Sequence, residues 1–569
     1  MTALPASAAA GVRGHPLSEA LVRLLASLIV AVLCAVLIVL PLYAVFSKSV
    51  QDAGGHFVGL ANFIEYARNP GLQRALYNSV FVSVVTALVT VPLAFGYAYA
   101  LTRSCMPAKG LFKTIALLPI LAPSLLPALS LTYIFGNQGF LKAWLFGNSI
   151  YGPIGILLAQ IFHCFPIAVI VLITALSLTD ARLYEVAETL ATSRWRVFHT
   201  ITLPAARYGL VSAAVVVFTT AIVDFGIAKV IGGKYNVLAI EVYRQIIGQQ
   251  NFAMGAVVGV VLFLPASLSF IVERIVQRKQ SAQLSSRSVI FRPKPHPAFD
   301  AAMLAVASFV SFLILAVLAV AIFASLVKLW PYDLSLSLAS YHFATFDPAG
   351  WWSYVNSIIL ASWTAVTGTA LIFVGAYLVE KGRRLSLIRA VIHAMAMIPL
   401  AVPGVVLGLG YIFFFNAPQN PLNVVYGTMA ILVLCTVAHY YTVPHLTALL
   451  ALKQIDREFE TASDALGVPF WVTFRRVTLP ICAPAIWDIA TFLFVNAMTT
   501  VAAVIFLYAP GTKLAAVAVV EMDDTGDIGA ACAMALMILY TSIAVKTAQW
   551  LVAKYLFERA QSWRRPAAD

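Results

Sequence analysis

The stretch "EVAETLATSRWRVFHTITLP" occupies Glu185–Pro204 and carries five charged or histidine residues in twenty, inside a chain that is otherwise mostly apolar. Shifted by 276 residues, it lands on a second copy, "TASDALGVPFWVTFRRVTLP", at Thr461–Pro480. Six of the twenty positions are identical: Leu190/Leu466, Trp195/Trp471, Phe198/Phe474, Thr202/Thr478, Leu203/Leu479 and Pro204/Pro480. The same shift pairs His163 with His439. Farther upstream, with small insertions, "NSVFVSVVTALVT" from Asn78 matches "NSIILASWTAVTG" from Asn356, and "LLPILAP" (117–123) matches "MIPLAVP" (397–403). Self-similarity at one long period marks a tandem duplication.

Of 569 residues, 61% are hydrophobic and 11% are charged. Soluble domains carry roughly 25% charged residues. So few charges cannot cover a water-soluble core of this size, and lipid is the solvent for most of the chain. The net charge of +13 then reads as Lys and Arg flanking a membrane. A dense basic run with interleaved aromatics is missing, so a nucleic-acid partner is not expected. The six cysteines form no CxxC pair and fall mostly in apolar segments. Neither a disulfide framework nor a metal site is expected.

A crossing helix needs about 20 apolar residues. Twelve runs qualify, near 23–47, 77–101, 111–136, 150–177, 206–231 and 252–276, then 299–329, 355–379, 388–415, 424–451, 482–508 and 528–554. The first is too long for a typical signal peptide and is read as a retained helix. The expected fold is an all-α integral membrane protein of two tandem six-helix repeats. Residues 1–276 form the first repeat, 277–298 a polar, basic linker and 299–569 the second repeat. An even number of spans inserts both repeats the same way up, related by a pseudo-twofold axis along the membrane normal with a pathway between them.

Sidedness follows the Lys and Arg bias. Arg103, Lys109 and Lys113 follow span two, and Lys381, Arg383, Arg384 and Arg389 follow span eight. Arg13 and Arg23 lie at one end of the chain, and Lys554, Arg559, Arg564 and Arg565 at the other. Both termini, the linker and the two polar loops (about 179–205 and 455–481) are therefore expected in the cytoplasm.

Within the first loop, Leu183, Val186, Ala187 and Leu190 recur at helical spacing. Phe459, Ala462, Ser463 and Leu466 do so in the second. A break follows, Ala191-Thr192-Ser193 or Gly467-Val468-Pro469. Ser193 suits an N-cap and Pro469 a first turn. A second short helix then presents Trp195/Trp471 and Phe198/Phe474 on one side. The expected product is a twice-repeated helix–turn–helix elbow on the cytoplasmic face.

The elbow resembles the EAA loop of ATP-binding-cassette importer permeases. Glu185, Ala187, Ile201, Leu203 and Pro204 match in the first copy; Gly467, Val477 (for Ile), Leu479 and Pro480 match in the second. The resemblance implies a coupling helix that docks in a groove of an ATPase subunit. Two departures stand out. Ala191 replaces the family's Gly, which implies a differently shaped first turn. Thr461 replaces its Glu, with Glu460 one residue early, which implies that the two coupling points are not equivalent. The chain has no GxxxxGK[ST], so ATP and magnesium are expected on a separate ATPase homodimer and no cofactor in this chain. The resemblance further implies a bacterial inner-membrane location, a periplasmic substrate-binding protein as partner, and no enzymatic activity of the permease itself.

Ionisable groups at membrane depth are functional candidates. His163 and His439 lie mid-span at matching positions. Asp224 lies deep in span five, with Lys229 five residues on as an expected partner; Thr500 is its counterpart. Asn78 and Asn356 open spans two and eight, as pathway or helix-capping residues. Glu521, Asp523, Asp524 and Asp527 form an acidic outer loop, either solvated or docking the binding protein.

The expected function is the permease of an ATP-driven importer. Fused permeases of this length resemble two groups, for 2-aminoethylphosphonate and for ferric iron, and the "MDDTGDIGAA" stretch is more similar to the phosphonate group. An ion-coupled secondary transporter is an alternative that leaves the paired elbows unexplained. A haem enzyme using His163 and His439 is a third.

Overall fold

The computed structural model describes residues 16–282, 291–382, 386–456 and 458–557. Arg13, Arg383, Arg384, Arg559, Arg564, Arg565 and linker residues 283–290 lie outside the described residues. Among those described, nine helices are long and apolar enough to cross a membrane, and three bent helix pairs bring the total to twelve. The first six spans are Ala20–Ser49, Pro70–Arg103, the pair Lys109–Leu121 with Leu125–Phe135, Pro153–Ser177, Arg194–Val223 and Phe252–Arg278. The second six are Pro297–Leu326, Trp351–Lys381, the pair Ser386–Ala401 with Gly404–Phe415, the pair Met429–His439 with Thr442–Lys453, Phe470–Thr499 and Ile528–Tyr555. A two-stranded hairpin, Val327–Leu329 with Asp333–Leu336, follows span seven. Leu88, Leu268, Phe309 and Phe312 are exposed mid-span, as a lipid-facing surface requires.

Spans three and nine bend by 99° and 117° at the matching "LAP" and "AVP" sequences. Proline disfavours helical geometry in the residue before it. Ala122 (φ −92°, ψ 145°), before Pro123, and Val402 (φ −96°, ψ 119°), before Pro403, are both extended. Spans five and eleven also break at matching points: Asp224 (ψ 125°) and Thr500 (ψ 133°) end their helices in extended backbone. Spans four and ten differ. The fourth runs straight through His163, whereas the tenth bends by 59° just past His439.

The first span of each repeat packs on the other repeat. Span one lies along the second limb of span nine, and span seven along the second limb of span three. Gly410 permits the first crossing, since a Cβ there would stand 2.5 Å from the Pro41 carbonyl oxygen. The Tyr411 hydroxyl, fully buried, donates to the Leu37 carbonyl at 2.9 Å. Span seven also packs on span two, where the Tyr97 hydroxyl meets Ser311 Oγ at 2.9 Å.

Candidate functional site

Both elbows form, and among the described residues their helices and turns fall at matching positions on the 276-residue shift. The first consists of helices Ala181–Thr189 and Arg194–Val197, the second of Glu458–Ala465 and Phe470–Thr473. Each second helix runs through a short π-turn, Phe198–Thr202 or Phe474–Thr478, into its span at Leu203 or Leu479. Ser193 caps as expected, accepting from the Arg196 backbone N–H at 3.4 Å, and Pro469 takes the equivalent place. Ala191 adopts the same left-handed backbone as Gly467 (φ 48° and 66°). The expected difference in turn shape is therefore corrected. Alanine holds the glycine geometry at a strain of about 1 kcal/mol.

The two aromatic residues of each elbow divide the work. Phe198 packs on Phe95 and Tyr99, and Phe474 on the matching Phe373 and Tyr377, so each phenylalanine is an anchor to span two or eight. Trp195 is 73% exposed and Trp471 43%. Around them Leu183, Val186 and Leu190 are exposed on one elbow, and Phe459 and Leu466 on the other. Glu185 and Thr461 are exposed, Ala187 is buried, Ile201, Leu203 and Val477 are half-buried, and Pro204 and Pro480 are exposed. Two apolar knobs amid charged residues are the kind of surface that a partner covers.

Glu460 is corrected. It points inward to Lys381 at 2.7 Å, with both side chains largely buried, and is a tether rather than a displaced copy of Glu185. Its counterpart is Tyr184, whose ring lies 5.0 Å from the Arg103 guanidinium. Arg103 and Lys381 thus hold the elbows by different chemistry. Sequence reasoning used both only as charges for sidedness; their matching places after spans two and eight were the missed signal.

Between the repeats lies a cavity of about 630 Å³. Both proline bends line it, as do both chain breaks: Ser124 with Asp224, and Pro403 with Thr500. His163 and His439 face it from spans four and ten. The Asp224 carboxylate accepts from the Ile227 N–H at 2.8 Å and from the Ser124 hydroxyl. Glu273, Gln277 and Asn496 also line the cavity and were not anticipated; their matching repeat positions are not ionisable, so the internal comparison gave no signal. On span six the lining runs from Ala266 to Gln277, the half nearest the linker. Among the described lining residues there are two carboxylates and two histidines but no lysine or arginine.

Asn78 and Asn356 are corrected. They lie within helices and outside the cavity lining, buried, with amides donating to backbone carbonyls: Asn78 to Asn236 at 2.9 Å, Asn356 to Gly511 and Lys513 at 3.1 and 3.0 Å. The next residues repeat the clamp, Ser79 Oγ accepting from Leu238 N–H and Ser357 Oγ from Ala515 N–H. Each pair pins the segment after its span five or eleven.

Lys229 does not pair with Asp224. It bridges to Asp524 of the other repeat at 3.0 Å. Beside this bridge, Tyr243 stacks on Phe506 across the repeats and touches Phe225 at the cavity's end. The expected acidic loop is corrected: Glu521, Asp523 and Asp524 end the helix Ala515–Asp524 and Asp527 precedes the next helix, and the cluster is partly committed internally. Glu521 bonds Lys513 and accepts from the Tyr508 hydroxyl, while Lys513 also reaches Asp347 at 2.7 Å. Burial disfavours the Lys513 charge, but these bonds hold its ammonium above the usual lysine range. Asp527 accepts from Thr525 Oγ1. Burial, and then the Asp524 charge, push the Asp523 carboxyl up to about 7, against the pull of Lys229.

The sequence profile of a family described as "Binding-protein-dependent transport system inner membrane component" matches residues 92–282 and 372–556. The ferric transport system permease protein FbpB of Actinobacillus pleuropneumoniae is 26% identical over 92% of this chain and 77% of its own length. A putative ferric transport system permease protein of Haemophilus influenzae is 27% identical over 86% and 79%. The sulfate transport system permease protein CysW of Synechocystis is 29% identical over 42% of this chain and 88% of its own.

Proposed function

The chain belongs to the family of binding-protein-dependent transport system inner membrane components and carries its domain twice; on that premise we propose that its central cavity passes ferric iron. It is the multi-pass permease subunit of an ATP-binding-cassette importer, a transport component and not itself an enzyme. The elbows dock an ATPase homodimer, which binds ATP and magnesium, on the cytoplasmic side where both termini lie. A periplasmic binding protein delivers cargo at the opposite end.

The charge inventory of the cavity carries the cargo assignment. Asp224 and Glu273 line it, with His163 and His439, and no lysine or arginine faces it among the described lining residues. A cleft lined by carboxyl groups and no basic side chain favours cations, and hard cations take oxygen ligands. A phosphonate would look for Arg or Lys. The relatives that span most of this chain are named as ferric permeases. The phosphonate reading rests on the likeness of "MDDTGDIGAA", and two acidic groups in or next to that stretch, Glu521 and Asp524, are spent on internal pairs. A gradient-driven secondary transporter would leave the exposed elbow knobs without a purpose.

The test is uptake into proteoliposomes holding permease, ATPase and binding protein. ATP-dependent accumulation of radioactive iron is expected. Asp224→Asn with Glu273→Gln should reduce it about tenfold, equivalent to about 1.4 kcal/mol of lost stabilisation. Accumulation of 2-aminoethylphosphonate, with no iron uptake, would refute the assignment.

A further inference from the structure

The two elbows are held to the bundle differently, and the difference involves a segment outside the family profile, which ends at 282 and resumes at 372. Residues 291–300 lead from the linker into span seven and lie against the first elbow. Lys294 Nζ donates to both carboxylate oxygens of Glu188, at 2.7 and 2.6 Å. The Phe291 ring sits 4.5 Å from the Tyr184 ring and 4.4 Å from the Arg103 guanidinium carbon. Tyr184, Arg103 and Phe291 thus form one stack that joins the elbow, the end of span two and the linker. The segment is also fastened along its backbone. Cys105 Sγ donates to the Pro293 carbonyl at 3.2 Å, and Asp300 Oδ1 accepts from the Cys105 N–H at 2.7 Å. At its far end Phe299 lies 5.6 Å from the Arg194 guanidinium on the second helix of the first elbow, a contact the other elbow repeats as Arg23 over Phe470 at 4.8 Å, so the difference between the elbows rests on Phe291 and Lys294.

In the second repeat, Lys381 stands at the place of Arg103 and Glu460 at that of Tyr184, and these two pair directly. Tyr184 is not acidic and meets Arg103 through its ring rather than by an ion pair. Phe291 completes that contact from outside the repeat, covering both the Tyr184 ring and the Arg103 guanidinium.

We infer that residues 291–300 are a positioning strap for the first elbow, with Phe291 as its main anchor and the Lys294–Glu188 pair as its second. This rests on the reading of the elbow as the coupling point. The strap continues directly into span seven, which packs along span three of the first repeat. A displacement of the first elbow is therefore passed to the second repeat through covalent chain. The second elbow has its direct ion pair instead. The Lys294–Glu188 pair is exposed at both ends and contributes little alone, so the ring stack should dominate.

The experiment uses the full chain in nanodiscs, without ATPase or cargo, in a Cys105→Ser background. A spin label is placed at Leu190→Cys or, as a control, at Leu466→Cys. Phe291→Ala should raise label mobility at 190 and leave 466 unchanged; Phe291→Tyr should preserve the ordered spectrum. Lys294→Glu should raise mobility at 190 to a smaller extent, and adding Glu188→Lys should restore it. If Phe291→Ala does not fold, the Lys294→Glu and charge-swap pair decides. An unchanged spectrum at 190, or equal changes at both positions, would overturn the strap. A second readout is ATPase titration of the reconstituted permease. The partner concentration for half-maximal hydrolysis should rise severalfold in Phe291→Ala while the maximal rate is kept. A mobile elbow with unchanged titration would uphold the strap and count against the coupling reading instead.

Discussion

Phe198 and Trp195 lie three residues apart and do opposite jobs. Phe198 is half-buried against Phe95 and Tyr99, and its loss leaves a gap. Phe→Ala at fully buried sites costs about 3–5 kcal/mol; half burial scales this to about 1–3 kcal/mol. Phe198→Ala and Phe474→Ala should each lower the thermal midpoint of the purified permease. Trp195 is exposed, so Trp195→Ala should change stability by less than about 0.5 kcal/mol. It should nevertheless weaken ATPase binding by about 2 kcal/mol, as for a docking anchor. The reverse pattern in a paired melting and binding experiment would show the two roles misassigned. Asp523 makes a second residue-scale prediction. Its folded pKa of about 7 lies above the ordinary carboxylate value, so between pH ~4 and ~7 the folded state binds more protons than the unfolded. Stability should fall as pH rises through that window and level off above it. The groups around it are Asp524, Lys229, Tyr151 and Cys532. Asp523→Asn should flatten the pH dependence of melting; an unaltered slope would assign it elsewhere.

Among the elements, the elbows were the most legible, because a duplicated motif reports its own geometry. The spacing of Trp, Phe and Leu-Pro placed both helices and the turn between them. What it missed was local substitution of chemistry: a cation–ring contact at Arg103–Tyr184 against an ion pair at Lys381–Glu460. Repeat comparison finds shared residues and is blind to different residues in a shared role. The proline bends in spans three and nine were present as matched motifs but not as bends, since apolar length alone cannot tell a straight span from a broken one. Lys229 shows the limit of sequence proximity: five residues from Asp224, it bonds across the repeats to Asp524. That bridge and the Tyr243–Phe506 stack close the repeats together beyond the cavity's elbow-distal end. Releasing a partly exposed pair costs about 1 kcal/mol, or about fivefold in a two-state balance. Lys229→Ala should therefore raise ATP hydrolysis in the absence of binding protein by about that factor. No rise in a reconstituted system would mean that the bridge does not oppose opening.

At the scale of the whole molecule, the two repeats are not side-by-side bundles. Each lends its first span to the other, and this was invisible in the sequence, where spans appear only in order. Composition still fixed the class, because so few charges leave no alternative to lipid. The exchange explains how one cavity can belong to both repeats, with a proline bend and a chain break contributed by each. It also gives the elbows a common frame, so that one motor pulling on both would act on the whole bundle. A photoreactive residue placed at Leu190 or at Leu466, in the assembled transporter, tests this most directly. Crosslinks from both positions to the ATPase subunit are predicted, and none from Phe146, which is exposed beyond the elbow-distal end of span three. Capture of the ATPase from Phe146, or from neither elbow, would contradict the account.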